Sequence, residues 1–204
     1  MITERDIYYF AEGTHAGLYR SLGCHLNPVG GARFAVWAPN ARAVSVIGDW
    51  NGWFPAKNAL SVRADSSGIW EGLVAHVRQG HAYKYRIESN SGQICEKADP
   101  FAICAECPPA TASRAWSLDY DWGDADWMKN RAARNRLDAP ISIYEVHAGS
   151  WRRKDGAFLG YREFSHQLAK YVLDTGFTHV ELLPLTPVML AAKPADVGHE
   201  LIIM

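Results

Sequence analysis

Two apolar runs with one amphipathic stretch between them constrain this chain most. Residues 141–151 read Ile-Ser-Ile-Tyr-Glu-Val-His-Ala-Gly-Ser-Trp, a buried strand entering a polar loop. Residues 177–185 read Phe-Thr-His-Val-Glu-Leu-Leu-Pro-Leu, a second such strand. Between them Tyr161, Phe164, Leu168 and Tyr171 recur at three- and four-residue steps, which predicts one apolar helix face. Gly176 supplies the helix stop. Strands that are apolar almost throughout suit a parallel pair covered on both faces, so 141–186 reads as β-α-β. Residues 187–204 carry neither helical nor strand period.

The first half has a different rhythm. Residues 33–37, 44–48, 68–77 and 83–88 are short, largely alternating strands separated by Gly, Asn and Pro. Asn51-Gly52 has the composition of a two-residue hairpin turn, and 89–92 turns again. This spacing predicts an antiparallel β-sandwich over 26–112, classed with the immunoglobulin-like modules by the resemblance given below, after an N-terminal segment 1–25. Residues 113–140 read as a linker with a short basic helix from Lys129 to Arg136.

Charge excludes some partners. With 21 basic and 22 acidic side chains, nothing selects nucleic acid or an anionic membrane. A neutral partner fits better, and eight tryptophans offer flat faces for sugar rings. The opening residues lack a signal-peptide pattern and no apolar run reaches membrane-span length, so the expected location is cytoplasmic. Cys24, Cys95, Cys104 and Cys107 are then expected as thiols, although Cys104 and Cys107 have the spacing of half a zinc site or a redox pair.

Two sets of residues could carry chemistry. In Gly48-Asp-Trp-Asn-Gly-Trp53 the turn is bracketed by tryptophans. Trp50 belongs to the strand and is expected to face the core, whereas Trp53 lies past the turn as a candidate sugar platform. Lys84 alternates with Tyr83 and Tyr85. If the tyrosines face inward, Lys84 faces out and can donate to sugar hydroxyls. The other set is Glu145 with His147 and His179 with Glu181, i, i+2 pairs that could converge on a metal or serve as hydrogen-bonded polar residues inside a barrel. No metal, other cofactor or catalytic residue is expected.

At these residues the chain resembles the N-terminal part of the 1,4-alpha-glucan (glycogen) branching enzymes. The resemblance rests on residues 34–53, Tyr83-Lys-Tyr85, Ala98-Asp-Pro-Phe101, Asp138 to Arg152 and Gly176 to Leu185. It implies a glucan-binding module followed by the opening of a (β/α)8 barrel of the alpha-amylase superfamily. It also implies transfer of an α-1,4-glucan segment to a 6-hydroxyl, with glycogen and amylose as partners. Two departures stand out. After Thr186 the sequence leaves the family pattern, as a frameshift or broken gene would leave it, before any catalytic carboxylate. This chain alone is therefore expected to be inactive, with a non-catalytic glucan-binding module as the alternative. In addition, Ile94 stands near where related modules often place a second tryptophan.

Overall fold

A computed structural model describes residues 2–183. Leu185, Thr186 and the tail 187–204 lie outside the described residues. The chain divides into two compact units, Met1–Leu118 and Asp119–Met204.

The first unit is built on two antiparallel sheets. Its strands are β1 (Gly23–Leu26), β2 (Ala32–Trp37), β3 (Ala41–Gly48), β4 (Ser61–Val62), β5 (Ile69–Val74), β6 (Ala82–Ser89), β7 (Ile94–Lys97), β8 (Cys104–Ala105) and β9 (Ser113–Arg114). One sheet has the order β1-β2-β5-β4. The other has the order β3-β6-β9-β8, with β7 also paired to β6. Period-two alternation sorts the side chains. Phe34, Val36, Trp70 and Val74 of the first sheet meet Val44, Val46, Tyr83 and Tyr85 of the second in one core. Ser89 to Gly92 forms the β6–β7 turn, with the Ser89 N–H donating to the Gln93 carbonyl at 2.9 Å.

Asn51-Gly52 does not form the expected two-residue hairpin. Residues Asp49–Asn51 make a 3-10 turn that ends at Gly52 in the left-handed region, φ +65°. β3 and β5 then fall in different sheets. The cause is the Asn51 side chain, which is buried. It accepts from Gly48 N–H at 3.0 Å and donates to the Val46 carbonyl at 2.9 Å and to Asn58 Oδ1 at 2.7 Å. That amide folds inward and stitches a wide loop, where a hairpin turn would have exposed it.

The segment ahead of the sandwich is a helix, α1 (Glu4–Ala11), started by a capping box between Thr3 and Asp6. With Ile2, its Ile7 and Phe10 cover Leu22, Ala35 and Ile69 on the outer face of the first sheet. Asp6 accepts from the Thr3 hydroxyl at 2.7 Å and the Thr3 N–H at 2.8 Å, and lies 2.8 Å from His15 Nε2. These bonds, led by the Thr3 hydroxyl, hold the Asp6 carboxyl well below the usual 3.8. A carboxyl lowered by folding contributes stability above its unfolded value and loses it as pH falls further. Acidification below about pH 4 should therefore loosen α1 before the sandwich core. Faster amide exchange in α1 than in β6 between pH 4 and 2 checks this, and equal protection would refute it.

The second unit contains α2 (Ala125–Arg134), β10 (Ile143–Val146), α3 (Ala148–Trp151), a small hairpin β11 (Arg153–Lys154) and β12 (Ala157–Phe158), α4 (Tyr161–Thr175) and β13 (His179–Leu182). α2 starts a turn earlier than the expected Lys129 and ends two residues before Arg136. β10 and β13 pair in parallel, with Ile143 opposite His179 and Glu145 opposite Glu181. α4 buries Phe164, Leu168 and Val172 against Val146, with Tyr144 and Val180 packed alongside. It ends at Gly176, φ +78°. Val172 is buried where the sequence pattern had used Tyr161, which lies at the rim.

Candidate functional site

Trp53 and Lys84 come to one end of the second sheet. Gly48, the last residue of β3, pairs with Tyr83, and Ile47 pairs with Lys84. The Trp53 N–H donates to the Gly48 carbonyl at 3.0 Å. Trp50 lies in the 3-10 turn and not on the strand as expected, yet it turns back against Phe34, ring centroids 5.7 Å apart, and packs on the core. Its indole donates to Asn58 Oδ1 at 3.1 Å. Gly48 makes room for it, because a Cβ there would lie 2.6 Å from the Trp50 ring and 2.5 Å from the Ala82 carbonyl.

Trp53 keeps 39% of its surface exposed. Its backbone sits at φ +62°, a region that bulky side chains avoid at a cost of about 1–2 kcal/mol. Its indole N–H donates to Asp49 Oδ1 at 3.2 Å. The other oxygen of Asp49 accepts from Ala82 N–H at 2.8 Å, so the carboxylate ties the ring to β6. Asp49 was not singled out from the sequence, although its place four residues before Trp53 was the available signal.

Tyr83 and Tyr85 are fully buried, which turns Lys84 to the outer face. The Lys84 ammonium donates to the Thr111 hydroxyl at 2.8 Å, and its two other N–H groups suit sugar oxygens. Ile94, 52% exposed on β7, pairs with Glu88 and so shares that outer face. It offers an apolar side chain with no ring.

The other candidates stay apart. Glu145 faces Glu181, but His147 lies beyond β10 with Nδ1 2.9 Å from the Ser150 hydroxyl, and His179 Nδ1 is 2.8 Å from Thr178. β10 ends before His147, and each histidine takes a local hydroxyl partner. Among the described residues no three His, Cys, Asp or Glu side chains cluster as a metal site. The four cysteines are free thiols, and burial pushes the Cys24 thiol up to about 12. Among the described residues no helix is long and apolar enough to cross a membrane.

Residues 21–102 match the family model of carbohydrate-binding module 48 (isoamylase N-terminal domain), and the antiparallel sheets described above fit that class. Over most of its length the chain resembles the N-terminal part of the 1,4-alpha-glucan branching enzymes. It is 60% identical over 187 residues to the GlgB branching enzyme of Albidiferax ferrireducens, covering 91% of this chain and 30% of that enzyme. To the enzyme of Aquifex aeolicus it is 48% identical over 191 residues, with the same coverage. The chain thus spans about 30% of the length of the curated relatives it matches. Among solved structures, a putative alpha amylase from Salmonella typhimurium superposes with a TM-score of 0.55 at 21% identity, covering 81% of this chain and 25% of that one. The maltotriose complex of PulA from Klebsiella pneumoniae gives 0.56 at 21% identity, covering 80% of this chain and 20% of that one. These two likenesses speak to the fold alone.

Proposed function

We propose that this chain binds α-1,4-glucan through Trp53, assisted by Lys84, as the non-catalytic N-terminal portion of a relative of the glycogen branching enzymes. The two-sheet sandwich is the binding module, residues 26–112 extended at its ends by β1 and β9, and the parallel β10–α4–β13 unit corresponds to the opening of a (β/α)8 barrel. The single observation that carries the binding reading is Trp53. A partly exposed tryptophan sits at φ +62°, its backbone N–H bonded to Gly48 and its indole N–H to Asp49. Such strain persists only where the surroundings enforce it, and it concentrates at binding sites.

Replacement of Trp53 separates binding from stability. Stacking on one aromatic contributes about 1–2 kcal/mol by analogy with aromatic pairs, so Trp53→Ala should weaken glycogen retention about tenfold. Trp53→Gly should lose binding equally. It should nevertheless be about 1 kcal/mol more stable than Trp53→Ala, because glycine adopts positive φ without steric cost. Glycogen co-sedimentation and urea unfolding read the two effects. Equal retention of wild type and Trp53→Ala would remove Trp53 from the site.

A further inference from the structure

We infer that Trp37 is a second α-glucan platform, at the opposite end of the sandwich from Trp53. The inference rests on the glucan-binding reading and extends it. Trp37 is 54% exposed, more than any of the other seven tryptophans and more than Trp53 itself. Its open ring presents apolar area that a flat apolar ligand face can cover.

The ring is fixed before any ligand arrives. Its indole N–H donates to the Ser67 carbonyl at 3.0 Å. Phe10 of α1 meets it edge-on, centroids 5.9 Å apart at 70°. The turn that supplies the Ser67 carbonyl is itself braced. Asp65 accepts from Ser67 N–H at 3.1 Å and from Arg63 Nε at 2.7 Å, and Arg63 also binds Glu71 at 2.6 Å. Ser66, at φ +61°, is held in the same left-handed region as Trp53. Binding therefore costs little ordering of side chain or loop.

The surroundings select a sugar. A protein-docking aromatic normally sits within a wider apolar core and a polar rim. Here the turn whose Ser67 carbonyl holds the ring also carries the exposed Ser66 hydroxyl and the Asp65 carboxylate, which is paired with Arg63. A flat apolar face beside hydroxyl and carboxylate groups matches a pyranose ring, which presents C–H on its faces and O–H at its edge.

Topology keeps the two platforms apart. Trp37 closes β2, and the chain turns directly into β3, whose far end receives the Trp53 N–H. Seven strand steps of about 3.3 Å separate the ends of β3 by about 23 Å, and the rings belong to different sheets. Maltotriose cannot reach both. A branched polymer can, and two linked contacts raise its retention without changing affinity for a short chain.

Indole N–H resonances of the 15N-labelled 204-residue chain, assigned by their loss in Trp37→Phe and Trp53→Phe, decide the matter during titration with maltotriose. Both resonances are expected to move. Movement of Trp53 with Trp37 static overturns this inference and leaves the first site standing. If neither moves, the glucan-binding reading falls and this one with it. In native gels containing glycogen, Trp37→Leu, which keeps apolar cover over Phe10 but no flat face, should reduce affinity about tenfold while maltotriose affinity at Trp53 stays within about twofold. Unchanged retardation overturns the second platform. If Trp37→Leu fails to fold, the titration of the wild-type chain still decides.

Discussion

Replacing Asp99 with alanine is expected to cost the sandwich about 3–5 kcal/mol, a large part of what a domain this size commonly has. Asp99 is buried between the sheets. It accepts from the Tyr83 hydroxyl at 2.7 Å, the Tyr85 hydroxyl at 3.2 Å and the Phe101 N–H at 2.8 Å. Tyr85 keeps a second partner in the Ala35 carbonyl at 3.3 Å. Alanine would leave the buried Tyr83 hydroxyl and the part-buried Phe101 N–H without Asp99, and each donor left unsatisfied costs about 1–3 kcal/mol. Asp99→Asn keeps an acceptor but adds a donor that must find its own partner, so a smaller loss of about 2 kcal/mol is expected. Burial raises the Asp99 carboxyl pKa above its ordinary value, against the hydrogen bonds that lower it. A carboxyl raised by folding contributes stability that is lost as pH rises from the unfolded value through the folded one. Asp99→Asn should remove that downward slope above about pH 4. Urea midpoints across pH 3.5–7 measure both effects. A loss below about 1 kcal/mol for Asp99→Ala would mean that water or relaxation satisfies the two donors.

Lys84 was placed outward from sequence because alternation is a property of extended backbone, and two buried tyrosines on either side settle the sense. The helix over 161–175 was legible for the same kind of reason, since Phe164 and Leu168 keep helical spacing and Gly176 ends it. Long-range contacts were not legible. The bond from Lys84 to Thr111 spans 27 residues, and that from Asp49 to Ala82 spans 33. No local pattern announces either. Asn51-Gly52 misled because turn composition describes an exposed asparagine, whereas tertiary hydrogen bonds draw this one inward. The positive φ of Trp53 follows from that same wide loop and so was hidden with it. α1 escaped because eight residues are too few for a helical period to stand out, and they owe their helicity to a cap and to the sheet beneath.

The 204-residue polypeptide is expected to form no α-1,6 linkages from amylose above a buffer blank. Retaining transfer needs a nucleophilic carboxylate and an acid/base carboxylate about 5–5.5 Å apart, on either side of the bond to be cleaved. The second unit does place two carboxylates opposite each other. Glu145 and Glu181 face each other across parallel strands, which lie about 4.8 Å apart. Spacing alone is insufficient. Both side chains are exposed on one open sheet face, so both approach a substrate from the same direction. Water competes for every position, and nothing buries one carboxyl to keep it protonated as an acid while the other stays charged. Asp99 is shielded by its two tyrosines and reaches no substrate. Among the described residues this pair lacks the closed cleft that the usual enzymatic acceleration of about a million-fold or more requires. Debranching of the reaction products followed by chain-length analysis reads the outcome. Linkages above blank that disappear in Glu145→Gln or Glu181→Gln would give the exposed pair a catalytic role and defeat the non-catalytic reading. Linkages that persist in both variants would place the chemistry on residues other than these.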